Sequence, residues 1–240
     1  MCLGSLPVTL VTRSKMKIKL LSEILKLFPN FQPGWRGAPP DRIVANPCFG
    51  TLLHAVVCND AGVPLYDQPV WAEPAGAITV PLTAEGKLGF VENYRPAVSL
   101  DGVPYPPTTL NGCGVVSLEL PRGFPNAGET ADQAALREAV EEMGFEATMA
   151  ERIGETNPNT TYFPNSQQIF LVTLTSRKSE IHRPDPTEQI RARFLTTAQV
   201  LEAIATGKIF CGMTKSALMT YFSSDRGQAA LRSLIPDGQC

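Results

Sequence analysis

Alternating and helically spaced apolar residues divide the chain into predicted elements. Residues 76–82 read GAITVPL and put Ile78, Val80 and Leu82 on one face of an extended segment. A second extended run, 88–94, follows a Glu85-Gly86 turn, so the pattern predicts a β-hairpin. Pro81 predicts an edge position or a bulge, because proline has no N–H to give to a ladder. Strands are also predicted at 115–120, at the branched run QIFLVTL of 168–174 and at 191–194, with two strand-like pieces between 42 and 57. Residues 130–143 predict the clearest helix: Thr130 and Gln133 form a capping box, and Asp132 suits the first turn. Leu136, Val140 and Met143, aided by Ala139, supply its apolar stripe, and Gly144 ends it. Helices are predicted at 197–205, 214–222 and 229–234, and another at 16–27, MKIKLLSEILKL. Proline and glycine make 29–40 a linker and 96–114 a loop, and 177–189 is a polar loop. Strands interleaved with a few helices imply an α/β fold, a mixed sheet covered by helices.

Composition narrows the classes. A chain of 240 residues with 43% hydrophobic and 18% charged residues buries a real core. Its 21 basic and 23 acidic residues leave a net charge of -2, and no clustered positive surface is visible, which argues against a nucleic-acid partner. The six cysteines are scattered, with no pair at zinc or redox spacing, and read as free thiols of a reducing compartment. The apolar start, residues 1–11, is short and lacks a basic head, so neither a signal peptide nor a membrane span is expected, and Met16 is an alternative start. A soluble, cytoplasmic protein with no membrane partner is the expectation. His54, within an apolar strand, reads as a hydrogen-bonded packing residue.

One stretch carries chemistry: residues 123–145, GFPNAGETADQAALREAVEEMGF. Glu138, Glu141 and Glu142 lie three and four residues apart and share a helix face. Like charges so close destabilise an isolated helix, and a divalent cation is a natural counterweight. Carboxylate oxygens suit hard Mg²⁺, which commonly bridges protein acids and substrate phosphates. The plain alternative is a solvated acidic face on an ordinary amphipathic helix. The glycine-bearing loop and the flanking Arg137 and Glu129 favour the metal reading.

This segment resembles the Nudix box of the Nudix hydrolases. Gly123, Glu129, Arg137, Glu138, Glu141, Glu142 and Gly144 fall on that pattern, and Ala139 and Phe145 fill its two apolar positions. The resemblance implies a Nudix-type α/β/α sandwich with a mixed sheet over 73–240, behind an N-terminal arm and linker at 1–41 and accessory strands at 42–72 that serve dimerisation. It implies that Glu138, Glu141 and Glu142 hold Mg²⁺ (or Mn²⁺), with the backbone carbonyl of Arg122 as a further ligand. Glu129 would assist at the metal cluster, and Arg137 would hold a loop glutamate by ion pairing.

Glu119-Leu120-Pro121-Arg122-Gly123 and Glu92-Asn93-Tyr94-Arg95-Pro96 are similar to motifs of the ADP-ribose and ADP-sugar pyrophosphatases. That branch implies a nucleotide substrate, AMP and a sugar phosphate as products, and a homodimer. Arg95 becomes a phosphate-binding candidate and Tyr94 a stacking one; Glu188, in the loop after the long core strand, becomes the candidate general base. Gln167-Gln168 stands where the branch usually has an acid, which bears on substrate choice. NADH, a diadenosine polyphosphate or a nucleoside triphosphate remain alternative substrates, and a nucleotide-binding module without catalysis is the alternative function.

Overall fold

The structure, a computed structural model, describes residues 17–33, 42–46, 50–95, 114–180 and 190–235. It divides into two compact units, Met1–Glu73 with Thr161–Pro164, and Pro74–Thr160 with Asn165–Cys240.

The first unit is built on β3 (Gly50–Cys58). An Asn59–Gly62 turn, with Gly62 at φ 81° and the Asn59 side chain accepting from Val63 N at 2.9 Å, returns the chain as β4 (Pro64–Ala72). β4 pairs antiparallel with one side of β3. The other side takes β1 (Lys17–Leu20) opposite Ala55 to Cys58 and β2 (Arg42–Asn46) opposite Gly50 to Leu53. The helix expected over 16–27 is therefore corrected: its first half is strand, and α1 (Leu21–Leu27) follows directly. Lys-Ile-Lys-Leu also alternates with period two, and the open ladder groups of β3 outweigh a weak helical preference. Leu21 and Ile24 of α1 pack on Val56 and Cys58. His54 is fully buried, and its Nε2 lies 2.6 Å from the Asp67 carboxylate on β4, the packing role expected of it.

The second unit holds a mixed sheet. β5 (Ala77–Leu82) and β6 (Leu88–Arg95) form the expected hairpin, turning at Gly86 with φ 76°. β10 (Gln167–Lys178) runs parallel to β5, and β9 (Phe145–Thr156) pairs antiparallel with β10. β11 (Ile190–Leu195) lies along β6, giving the order β11-β6-β5-β10-β9. β7 (Val115–Glu119) pairs with the end of β6, and β8 (Arg122–Gly123) pairs with the start of β5.

Strand periodicity assigns the two faces. Phe170, Val172 and Leu174 of β10, with Ala77 and Val91, pack against α2 (Ala131–Met143). Ile169 and Leu171 of β10, with Ile78, Val80 and Phe90, pack against α3 (Thr197–Ala205) and α4 (Gly212–Ser223). A final helix, α5 (Asp225–Arg232), follows α4. Helices thus cover both faces of a mixed sheet, the α/β class expected.

Three details differ from expectation. β5 is an interior strand, yet on the β6 side its ladder consists of Leu82 opposite Leu88 and of Ala77 and Ile78 opposite β8, so Pro81 falls in the gap between them. The buried residues of α2 are Ala134, Ala135, Ala139, Glu142 and Met143: Met143 and Ala139 face the core as expected and Leu136 packs there partly buried, while Ala134 and Ala135 carry more of the stripe than the pattern suggests and Val140 is only partly buried. Small side chains let the helix sit close enough for the Thr79 hydroxyl to donate to Ala135 O at 3.2 Å. β4 and β9 have no counterpart in the sequence reading. The loops expected at 96–114 and 177–189 fall mostly outside the described residues, Glu188, Asp185 and His182 among them.

Candidate active site

β8, the loop after it and the first two turns of α2 form one hydrogen-bonded frame within the second unit. Asn126 N donates to a Glu129 carboxylate oxygen at 2.7 Å, and Glu129 N donates back to Asn126 O at 2.9 Å. Gly128 takes φ 82° in that turn, a backbone conformation that disfavours any side chain. Thr130 N donates to the Gln133 side chain at 3.0 Å, closing the capping box and starting the helix. At the far end Gly144 adopts the left-handed conformation, φ 73°, and its N–H reaches Val140 O.

Arg137 sits at the centre of the acids. Its Nε donates to Glu129 at 3.0 Å, one terminal nitrogen to Glu138 Oε1 at 2.7 Å and Glu141 Oε2 at 3.0 Å, and the other to Phe124 O at 3.0 Å. One guanidinium therefore ties three carboxylates and the loop backbone together. The like-charge cost read from the helix spacing is offset here by an internal cation. Burial works against the charge on Arg137, but the hydrogen bonds it donates to Glu129 and Glu138 outweigh it and raise its pKa further. The same bonds hold the Glu129 carboxyl below the usual range, against the effect of burial.

The remaining box acids differ in setting. Glu138 packs against Gly123 so closely that a Cβ there would run into its carboxylate. That contact explains why a residue without a side chain begins the motif. Glu142 is only 8% exposed and lies on the sheet-facing side of α2, while Glu141 is the most open of the three. Among the described residues no three His, Cys, Asp or Glu side chains are yet disposed around one point as metal ligands. The donor set nonetheless fits a hard divalent cation: the acids are all carboxylates, the glycine leaves room beside Glu138, and rigid packing holds the helix. Loading would have Glu138 and Glu141 exchange an Arg137 N–H for the ion.

A second charged group lies at β6, β7 and β8. Glu119 is almost wholly buried, 2% exposed, and accepts from Arg95 Nε at 3.0 Å and pairs with the Arg122 guanidinium at 3.2 Å. Burial disfavours its ionisation, yet the hydrogen bond from Arg95 and the charges of Arg122 and Arg95 prevail and hold its carboxyl below the usual range. Arg95 is thus engaged with an acid, and its side chain remains 30% exposed. Tyr94 is half-exposed and stands over Gly114. Neighbours on a strand face opposite ways, so Tyr94 and Arg95 do not share a face of β6. Sequence reading treated Glu119 only as one letter of a motif. Its signal was an acid set between apolar Leu118 and Leu120, three residues before an arginine.

Comparisons with known proteins agree with this geometry. Residues 108–210 match the NUDIX domain family model. The curated Caenorhabditis elegans protein "Putative nudix hydrolase 2" is 30% identical over 116 residues, covering 45% of this chain and 51% of that protein. The chain therefore spans about half the length of the curated relative it matches. A solved structure described as an ADP compounds hydrolase superposes with a TM-score of 0.58 at 18% identity, covering 79% of this chain and 93% of that one, which shows a shared fold. Family-model match, shared fold and the Arg137-centred carboxylates point the same way: residues 108–210 are similar to the NUDIX domain, and the chain shares its fold with a solved ADP compounds hydrolase.

Proposed function

We propose that this protein is a magnesium-dependent pyrophosphohydrolase acting on a nucleoside diphosphate joined to another moiety, ADP-ribose or an ADP-sugar. The observation that carries the reading is the frame of Gly123, Glu129, Glu138 and Glu141 around Arg137, with Glu142 beside it. The likeness to a solved ADP compounds hydrolase supports the choice of nucleotide.

In this reading Glu138, Glu141, Glu142 and the carbonyl of Arg122 hold Mg²⁺, with Mn²⁺ as a substitute. The cation, when bound, neutralises charge on the phosphate oxygens and acidifies the attacking water. Glu129 and Arg137 keep the loop and the carboxylates in place. Arg95 takes a phosphate, and Tyr94, which faces the other way at the end of β6, is the stacking candidate for a ring that reaches past the strand end. Water attacks one phosphorus, a P–O bond forms, the bridging P–O bond breaks, and AMP and a sugar phosphate leave. Glu188 accepts the water's proton.

A substrate panel with Mg²⁺ tests this: ADP-ribose, ADP-glucose, NADH, a diadenosine polyphosphate and a nucleoside triphosphate. The highest kcat/KM is expected for ADP-ribose or ADP-glucose. Equal or higher values for the triphosphate would refute the substrate class, and no cleavage of any compound would leave only a binding module. We further propose a cytoplasmic homodimer assembled through the first unit, whose Leu65 and Tyr66 are exposed on β4. A monomer in sedimentation at assay concentration would contradict the dimer. No helix among the described residues is long and apolar enough to cross a membrane.

A further inference from the structure

The Glu119 cluster holds more positive charge than its own carboxylate balances. Arg95 and Arg122 both reach Glu119, so the trio carries one net positive charge. Arg122 is the telling member. One of its terminal nitrogens reaches Glu119 Oε2 at 3.2 Å, while the other faces Cys211 Sγ and Met213 Sδ, each at 3.6 Å. Sulfur is a weak acceptor, so among the described residues that edge of the guanidinium meets only weak acceptors for its strong donors. Cys211 is also the N-cap of α4, a helix of 12 residues, whose N-terminal N–H groups add positive potential to the same place. Glu119 is nine-tenths buried and hydrogen-bonded, so it fixes the guanidinia on strand ends instead of leaving them to sample solvent. The Arg122 side chain is still 26% exposed, which leaves it reachable by a ligand.

We propose that the Arg122 side chain, braced by Glu119 next to Arg95, forms a phosphate subsite for the substrate's diphosphate. This role is separate from any part its backbone carbonyl plays, and as a specificity device it rests on the hydrolase reading above. The charge suits a phosphate: each phosphate of a diphosphate capped at both ends carries one negative charge, and the Arg122 guanidinium is only partly committed to Glu119. The fork of Arg122 can keep one edge on Glu119 while its other edge turns from sulfur to phosphate oxygen. A lysine at the same position has a single ammonium and cannot span both partners in that fixed geometry.

Inorganic pyrophosphate is the probe, titrated calorimetrically into the full chain in EDTA, so that neither turnover nor metal enters the readout. Arg122→Ala and Arg122→Lys are compared with wild type, and thermal melts establish that each is folded. If wild type binds pyrophosphate but cleaves nothing in the substrate panel, the hydrolase reading fails and the subsite stands. Arg122→Ala is expected to weaken binding by about tenfold or more, the usual loss for a charged hydrogen bond, with Arg122→Lys between it and wild type. Unchanged affinity in folded Arg122→Ala, or no binding by wild type, would overturn the subsite.

Discussion

Glu138→Gln, Glu141→Gln and Glu142→Gln are each expected to lower kcat by about 10²–10³-fold, the scale of losing one preorganised charge at a phosphoryl centre. Glutamine keeps shape and hydrogen-bonding capacity but loses the charge that attracts a cation. The three should differ in stability. Glu141 is the most open, with its side chain 32% exposed, and its variant should melt with wild type. Glu138→Gln loses the charge paired with Arg137 at 2.7 Å, and Glu142→Gln changes a group packed against the sheet, so both should melt lower. Circular dichroism melts beside Mg²⁺-saturated kinetics separate the two effects. Glu188→Gln, assayed across pH beside Glu180→Gln and Asp185→Asn, tests the proton acceptor: full turnover in all three would remove the loop from that role. Wild-type kcat in all three box variants would sink the metal assignment.

Arg137→Ala is expected to cost about 1–3 kcal/mol of stability, below the range for breaking a fully buried ion pair because the side chain is 25% exposed. It also leaves Glu129, Glu138 and Glu141 without their shared counter-ion, and turnover should fall with it. The pH dependence of stability, measured in EDTA, should change in a defined direction. In wild type Glu129 has a folded pKa below its unfolded value. Its contribution is present above the unfolded pKa and is lost as pH falls through the folded one. Without Arg137 the hydrogen bond that lowers the Glu129 pKa is gone, so acidification should cost the variant less than it costs wild type. Mg²⁺ should stabilise the variant by about 2.7 kcal/mol at a hundred times Kd if the cation binds only the folded state, enough to offset most or all of the cost of the substitution. An unchanged melting temperature and an unchanged acid limb would show that Arg137 does not bind the frame together.

Much of the site was legible because its residues are local. Gly123, Glu129, Arg137, Glu138 and Glu141 lie within one loop and about three helical turns, so sequence spacing is close to spatial spacing. The capping residues Thr130 and Gln133 and the stop at Gly144 are local for the same reason. What depended on distant chain was not legible. β1 is strand because β3 offers it an edge, which the Lys-Ile-Lys-Leu run cannot announce. β9 reads as FEATMAERIGET, with apolar residues spaced irregularly, and it holds its place through a long, bulged ladder to β10. β4 carries prolines at both ends of its outer half and looks like loop until β3 is beside it. Met143, Ala139 and Leu136 of α2 pack on the sheet as their spacing suggests, but close approach also selects Ala134 and Ala135, whose small side chains carry little apolar signal. Glu119 and Arg95 are 24 residues apart in sequence and meet only through the β6–β7 ladder.

The central claim is that this carboxylate frame supports metal-dependent cleavage of a P–O–P bond. Phosphorus NMR of ADP-ribose incubated with the protein in isotopically labelled water, first with Mg²⁺ and then with EDTA, tests it most directly. The expected result is AMP and a sugar phosphate with solvent oxygen in one of the two, formed with Mg²⁺ and not with EDTA. Intact ADP-ribose in the presence of Mg²⁺, or equal cleavage in EDTA, would contradict it.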